Sequence, residues 1–464
     1  MRLLSLIHTL TACIALELKT FKVPLDHFSP ISPDGDLEMR YLIETKFFDE
    51  SDCKLFMILG GEATMNTTHL GSPFVSDTLA SEFRAAVVQT EHRFYGESKP
   101  ENEHLMNRYL SVEQALEDYA SLIAYLGSTA VGCERKVVGV FGGSYPGALA
   151  GLMRLRYPHL VDFAYASSAP LGFYGGRTNN KYDYYKIVTD EVAKIDPGCP
   201  DLVRRTLNHL MSMQVTDLNI CDGVETTGDE IVQLVRAFFA NRNMANYPPS
   251  TGGDVVKRLC DSLRTPNHDE NRVKTLIAFL ATEQNRNKIC YDVLSERPAD
   301  SNQAICADHS GCGQGSDGRS WDYQACTELV HAIATNGETD MFPPMEFSEY
   351  LLEQYCLERF NVRPVYHKLN SLWGIERIDQ LVSRVLFVNG ARDGWTASAI
   401  KNSTHAILIP SGAHHSEMGP ERIDDTEDMR GARSGIRGII REFIGEIRTQ
   451  WKADVIEPIT YEIV

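Results

Sequence analysis

The sequence predicts an α/β fold built on a largely parallel sheet, and two observations carry that prediction. Short, almost wholly apolar runs end in glycine or polar residues, as in KLFMILGG (54–61), KVVGVFGG (136–143) and SRVLFVNG (383–390). Runs of that length and character suit strands buried on both faces. Between them lie segments with apolar residues at helical spacing, such as SVEQALEDYASLIAYL (111–126). Strands that alternate with amphipathic helices build a parallel sheet covered on both sides.

Taken in order, KLFMILGG and RAAVVQTEHRF (84–94) read as strands, then the helix of 111–126, then the strand KVVGVFGG and a helix from about Gly147 to Tyr157. LVDFAYASSAPL (160–171) reads as a further strand. From 173 to 315 the chain turns polar, cysteine-rich and helical, with ETTGDEIVQLVRAFFANR and NRVKTLIAFLATEQ as amphipathic examples. Strand signals return at SRVLFVNG and HAILIPSG (405–412), and GIRGIIREFIGEIRTQW (435–451) reads as a closing helix. The expected organisation is one α/β domain in two pieces, 16–172 and 316–464, interrupted by a helical insertion over 173–315.

Composition narrows the function. The chain has 464 residues, 43% hydrophobic, enough for a large core. A formal charge of −18, with no Lys/Arg block, argues against nucleic acid as a partner. Residues 1–15 carry one Arg and an apolar stretch from Leu3 to Ala15, the pattern of a signal peptide and too short to span a bilayer. No later segment is long and apolar enough for a membrane span. Of the 11 cysteines, Cys13 lies in that leader, and the even remainder permits up to five disulfides in an oxidising compartment. Zinc is the rival use, but no CxxC pair exists, and Cys306 and Cys312 lack suitably spaced histidines. Sequons at Asn66 and Asn402 agree with export. The remaining histidines show no ligand spacing, so neither metal nor cofactor is expected.

Three strand ends carry chemistry. The stretch FGGSYPG delivers Ser144 on a turn from strand to helix, VLFVNGARDGW delivers Asp393, and AILIPSGAHH delivers His414 and His415. Serine, aspartate, histidine is the chain order of α/β-hydrolases. Neighbouring strand ends lie side by side, so three distant residues can converge there, and a serine hydroxyl needs an adjacent imidazole to become a nucleophile. Gly142 and Gly143 permit a sharp turn, although Pro146 stands where the usual last glycine of the motif would be. The Tyr145 N–H, at the start of the following helix, is the expected first donor to an oxyanion. A second is expected after KLFMILGG, from Gly61, Glu62 or Ala63. Spacing alone does not choose between His414 and His415.

GGSYPG and EHRFYGES (91–98) resemble the serine peptidase family of lysosomal Pro-X carboxypeptidase, dipeptidyl peptidase II and thymus-specific serine protease. Further matches are PLDHF (24–28), EQALEDYA (113–120), RSWDYQACTE (319–328), NGETDMF (336–342), NGARDGW (389–395) and GAHH (412–415). The resemblance implies an α/β-hydrolase fold with an inserted helical cap and a secreted or lysosomal serine exopeptidase acting on short peptides, with a homodimer left open. It places the nucleophile on Ser144, the acid on Asp393 and the general base on His414, and it puts Trp395 in the S1 pocket, where core packing is the alternative. Two pocket methionines of the proline-specific members fall on Ala148 and His331, and GAHH continues SEMG rather than LDLR. Those departures argue against a proline-shaped S1 pocket and toward the thymus-specific branch. An esterase or lipase on the same fold, or an inactive binding protein, are the rivals. Glu62 or Glu91 could hold a substrate amino terminus; a buried ion pair with Arg93 is the plainer expectation. Tyr323 and Gln324 either face the cleft or pack beneath it.

Overall fold

The computed structural model describes residues 16–456 apart from 32–33, 129–132, 134–135, 175–179, 222–223, 248–251 and 285–288. The expected leader at 1–15 lies outside the described residues. The eight strands are β1 (Glu17–Pro24), β2 (Asp36–Glu44), β3 (Lys54–Ile58), β4 (Ala86–Thr90), β5 (Val137–Gly143), β6 (Phe163–Ser167), β7 (Val385–Gly390) and β8 (Ala406–Ile409). They form one sheet in the order β1-β2-β4-β3-β5-β6-β7-β8. β2 pairs antiparallel with both β1 and β4, and every pairing from β4 to β8 is parallel. The apolar runs of the sequence mark β3 to β8 but not β1 and β2. β1 is mostly exposed and β2 interrupts its buried residues with charged ones, so neither stands out as a run.

The principal helices are α1 (Val112–Ser128), α2 (Tyr145–Arg156), α3 (Asp183–Ile195), α4 (Cys199–Leu210), α5 (Gly228–Met244), α6 (Gly252–Arg264), α7 (Asp269–Glu283), α8 (Gly315–Thr327), α9 (Glu349–Phe360) and α10 (Glu427–Ile456). Alternation along the central strands divides the core in two. Leu55, Met57, Val138, Val140, Ala164 and Ala166 face the side covered by α1 and α2. Phe56, Phe141, Phe163 and Tyr165 face the other, where α10 contributes Ile436, Ile440 and Phe443. On that side the Phe56 and Phe141 rings lie 4.9 Å apart. Each such buried ring contributes about 1.5–3 kcal/mol. α10 starts earlier and ends later than the apolar pattern of 435–451, because its first turn presents Met429 to the same core.

Between Ser167 and Val385 the described residues form no strand of the sheet, and α3 to α9 lie in this stretch. Five disulfides join Cys53–Cys133, Cys199–Cys260, Cys221–Cys290, Cys306–Cys312 and Cys326–Cys356. Four of them lie among these helices, where Cys199–Cys260 ties α4 to α6 and Cys326–Cys356 ties α8 to α9. Asn66 and Asn402, the two sequon asparagines, are exposed. No described helix is long and apolar enough to cross a membrane.

Asp322 of α8 is fully buried, accepts the Ala307 N–H at 2.9 Å and the Tyr355 hydroxyl at 2.8 Å, and burial pushes its carboxyl up to about 6 from 3.8. The fold therefore holds a proton that the unfolded chain has released. This group's contribution to stability is full below pH 3.8 and falls as the pH rises toward 6. Asp322→Asn is expected to remove up to about 3 kcal/mol of stability loss between acidic and neutral pH. The check is thermal unfolding of both proteins across that range; parallel curves would contradict it.

Candidate active site

β5 ends in Gly143, and the chain then turns through Ser144, with φ 64° and ψ −132°, into α2. A side chain in that region costs on the order of 1–3 kcal/mol, so the surroundings must hold it. They do so through the next strand: the Ser144 N–H donates to the Ser167 carbonyl at 2.9 Å. Two glycines let the backbones close up. A Cβ on Gly142 would lie 2.1 Å from the Pro146 carbonyl oxygen, and one on Gly147 would lie 2.6 Å from that of Ser167. The hydroxyl of Ser167 in turn donates to the buried Glu417, whose pKa burial raises. Tyr145 opens α2, where no intrahelical carbonyl accepts its N–H. Its phenol is buried among His92 Nε2 at 2.9 Å and Gln324 Nε2 at 3.1 Å.

β7 ends at Gly390 and β8 at Ile409, and the loops beyond them meet. His414 Nδ1 lies 2.6 Å from Asp393 Oδ2, and the other carboxylate oxygen accepts the Trp395 N–H at 3.1 Å. Between the two histidines, therefore, it is His414 that bonds the aspartate. It is 8% exposed, whereas His415 is exposed and its backbone N–H donates to Ser168 Oγ at 2.9 Å.

Two cavities open on Ser144. One, of about 610 Å³, is shared by Ser144, Glu62, His414, His415, Arg422 and Met244. The other, of about 270 Å³, is bounded by Ser144, Glu62, Trp395, His331, Trp321 and Asp308. The structure thus brings together Ser144, His414, Glu62, Trp395 and His331, with Asp393 behind His414. Gly61 follows β3 in a loop tied down by the Gly60 N–H on Thr90 Oγ1 at 2.9 Å. Ala148 is buried on α2 and borders neither cavity. Trp395 both borders the smaller cavity and packs, its ring 4.9 Å from Tyr184 and 5.8 Å from Phe173. Gln324 and Tyr323 lie beneath the site: the amide accepts the Tyr95 hydroxyl at 2.6 Å, and the phenol donates to the Asn107 carbonyl at 2.8 Å.

The expected ion pair of Arg93 with Glu91 or Glu62 does not form. Arg93 is bound by Asp118 at 2.7 Å, Glu91 by Arg40 at 2.7 Å, and Glu62 by no cation among the described residues. Arg40 sits on β2, which hydrogen-bonds β4 just before Glu91, and β2 carried no recognised strand signal. Burial raises the Glu62 carboxyl above its usual range. Cys306 and Cys312 bond to each other.

Sequence reasoning also missed the end of α5. Asn243 Nδ2 donates to the Arg392 carbonyl at 2.8 Å, and its Oδ1 accepts the Gly394 N–H at 2.9 Å. Those two groups flank Asp393. The next residue, Met244, accepts the His414 N–H at 3.2 Å through its carbonyl and the Trp395 indole N–H at 3.3 Å through its sulfur. One helix end thus fixes both the Asp393 loop and the His414 loop. Nothing in the local sequence announces this, because the partners lie 149 and 151 residues away.

A sheet of this strand order, with a serine on the turn after β5 and a His–Asp pair beyond β7 and β8, defines an α/β-hydrolase. Comparison with known proteins narrows the class. Residues 23–436 match the model of the serine carboxypeptidase S28 family, and the chain belongs to that family of serine peptidases. It is 30% identical over 432 residues to lysosomal Pro-X carboxypeptidase of Mus musculus, covering 86% of this chain and 83% of that one. It is 27% identical over 456 residues to the thymus-specific serine protease of Mus musculus, covering 92% and 87%. Among solved structures, proline iminopeptidase of Mycobacterium smegmatis is similar at a TM-score of 0.40 and 12% identity, covering 92% of this chain and 100% of that one. With five disulfides and lysosomal relatives, the protein is one of the secretory route, secreted or lysosomal.

Asn243→Ala is expected to lower kcat about tenfold with KM little changed, because the loops carrying Asp393 and His414 lose their common anchor while the cavities stay open. Steady-state kinetics on one peptide substrate checks this. A rise in KM at constant kcat would place the residue in substrate binding instead.

Proposed function

We propose that the protein is an exopeptidase that cleaves short peptides through an acyl-enzyme, with Ser144 as nucleophile, His414 as general base and Asp393 as the group that orients it. The observation that carries the reading is the 2.6 Å bond between His414 and Asp393, with His414 and Ser144 on the wall of one cavity. In this mechanism Ser144 Oγ attacks the scissile carbonyl while His414 Nε2 takes its proton. The carbonyl oxygen becomes an oxyanion, held by the Tyr145 N–H and by an N–H of the 61–63 segment. His414 passes the proton to the leaving amine as the C–N bond breaks. A water, deprotonated by the same imidazole, then releases the acid and regenerates the serine. Asp393 holds the imidazole tautomer and stabilises its cation without itself taking the proton.

The helices of 173–315 are read as the cap that restricts entry to peptide ends, since α5 supplies walls to both cavities. Proline stands in the name of the Pro-X carboxypeptidase relatives, whereas His331, on the wall of the smaller cavity, replaces a pocket methionine of the proline-specific members. The expected activity is therefore that of the family, on a different S1 residue.

The test is labelling with a fluorophosphonate, followed by mass spectrometry of a peptide library. Wild-type protein is expected to label and to trim peptides from one end. Ser144→Ala is expected to lose labelling and more than about 10⁴-fold of its turnover. Ester hydrolysis without peptide turnover would point to an esterase, and a folded protein that neither labels nor hydrolyses would be a binding protein.

A further inference from the structure

The smaller cavity differs in charge from its neighbour. The acidic residues on its walls are Glu62, Glu296 and Asp308, and no Lys or Arg is among the described residues that line it. Asp308 is the deepest, 1% exposed. Its Oδ1 accepts the Ser310 N–H at 2.9 Å and hydroxyl at 2.8 Å, and its Oδ2 accepts the Trp321 indole N–H at 3.0 Å. All three donors are neutral. Among the described residues its single ion-pair neighbour is His331, whose Nδ1 lies 3.7 Å away.

His331 is itself 1% exposed, and burial drives its pKa down, against the pull of Asp308. Its Nε2 lies 3.2 Å from the Tyr174 hydroxyl, while its Nδ1 is buried without a hydrogen-bond partner. Around it stand aromatic rings, with centroids 5.2 Å away for Trp395, 5.7 Å for Trp321 and 5.3 Å for Tyr174. The cavity thus offers a buried carboxylate without a cation, an orphaned ring nitrogen and aromatic walls. An apolar occupant would exclude water and leave both polar groups unmatched, which is costly. A cationic occupant would match all three features, because a charged N–H donor satisfies the carboxylate and the nitrogen while aromatic faces attract it.

Because Ser144 borders this cavity, its occupant is joined to the reacting carbonyl. We infer that it is an S1 subsite for a basic side chain, lysine or arginine, held by Asp308 and His331 between Trp395 and Trp321. The inference rests on the peptidase reading above and adds the substrate class.

The experiment compares kcat/KM on peptides that differ at P1 alone, with lysine, arginine, norleucine or proline there, each made with a free and with an acetylated amino terminus. Lysine and arginine are expected to exceed norleucine and proline at least tenfold, and Asp308→Asn is expected to bring the lysine-to-norleucine ratio toward one. In case that variant fails to fold, benzamidine is used on the wild type. It is expected to slow fluorophosphonate labelling where uncharged benzamide does not. A labelled, active enzyme that prefers norleucine or proline overturns the inference and leaves the peptidase reading standing. So does a preference that follows a free amino terminus whatever the P1 residue, since the cation would then be the substrate's α-ammonium. Wild-type protein that does not label at all removes both.

Discussion

The site depends on one strained residue. Ser144 holds φ 64°, and the sheet holds Ser144. In the parallel pairing of β5 with β6, Gly143 lies opposite Ser167, so the Ser144 N–H reaches the Ser167 carbonyl. The following residue, Ser168, takes the His415 N–H on its hydroxyl. The end of β6 therefore sets the position of the serine turn and of the histidine loop together. The register of two strands, fixed by core residues on both faces, decides where a hydroxyl stands relative to an imidazole.

A second constraint comes from above the sheet. α5 ends against the loops after β7 and β8, and through Asn243 and Met244 it bonds the backbone around Asp393 and His414. The same helix lines both cavities, with Ala237 in the smaller, Ala245 just past its end in the larger, and Asn241 and Met244 in both. α5 and the loops that carry Asp393 and His414 are thus one hydrogen-bonded unit. The serine turn is anchored separately, in the sheet. The division of labour is physical: the sheet supplies the rigid, strained element, and the helical layer supplies shape and charge.

The sequence was informative where a feature is local. Ser144, Asp393 and His414 each follow an apolar strand within a few residues, so their convergence could be read from chain order and the rules of parallel sheets. β3 to β8 were visible for the same reason. β1 and β2 were not, since β1 is mostly exposed and charged residues break up β2, and with β2 went the true partner of Glu91. The choice of His414 over His415 needed family resemblance, because two adjacent histidines differ in backbone direction rather than in spacing. The walls of the smaller cavity were the least legible. Asp308 lies in the loop closed by Cys306–Cys312, Trp321 on α8, and His331 just after that helix. Each reads alone as an ordinary loop or core residue, and only their packing shows a carboxylate without a cation.

The central claim is that the turn at Ser144 presents its hydroxyl to His414 and to the N–H groups at the start of α2 and after β3. A crystal structure of the phosphonylated protein tests it most directly. The account predicts phosphorus bonded to Ser144 Oγ, with the phosphoryl oxygen within hydrogen-bond distance of the Tyr145 N–H and of an N–H in the 61–63 segment. His414 Nε2 should lie against the serine oxygen. Phosphorus on another residue, or a phosphoryl oxygen turned away from α2, would contradict it.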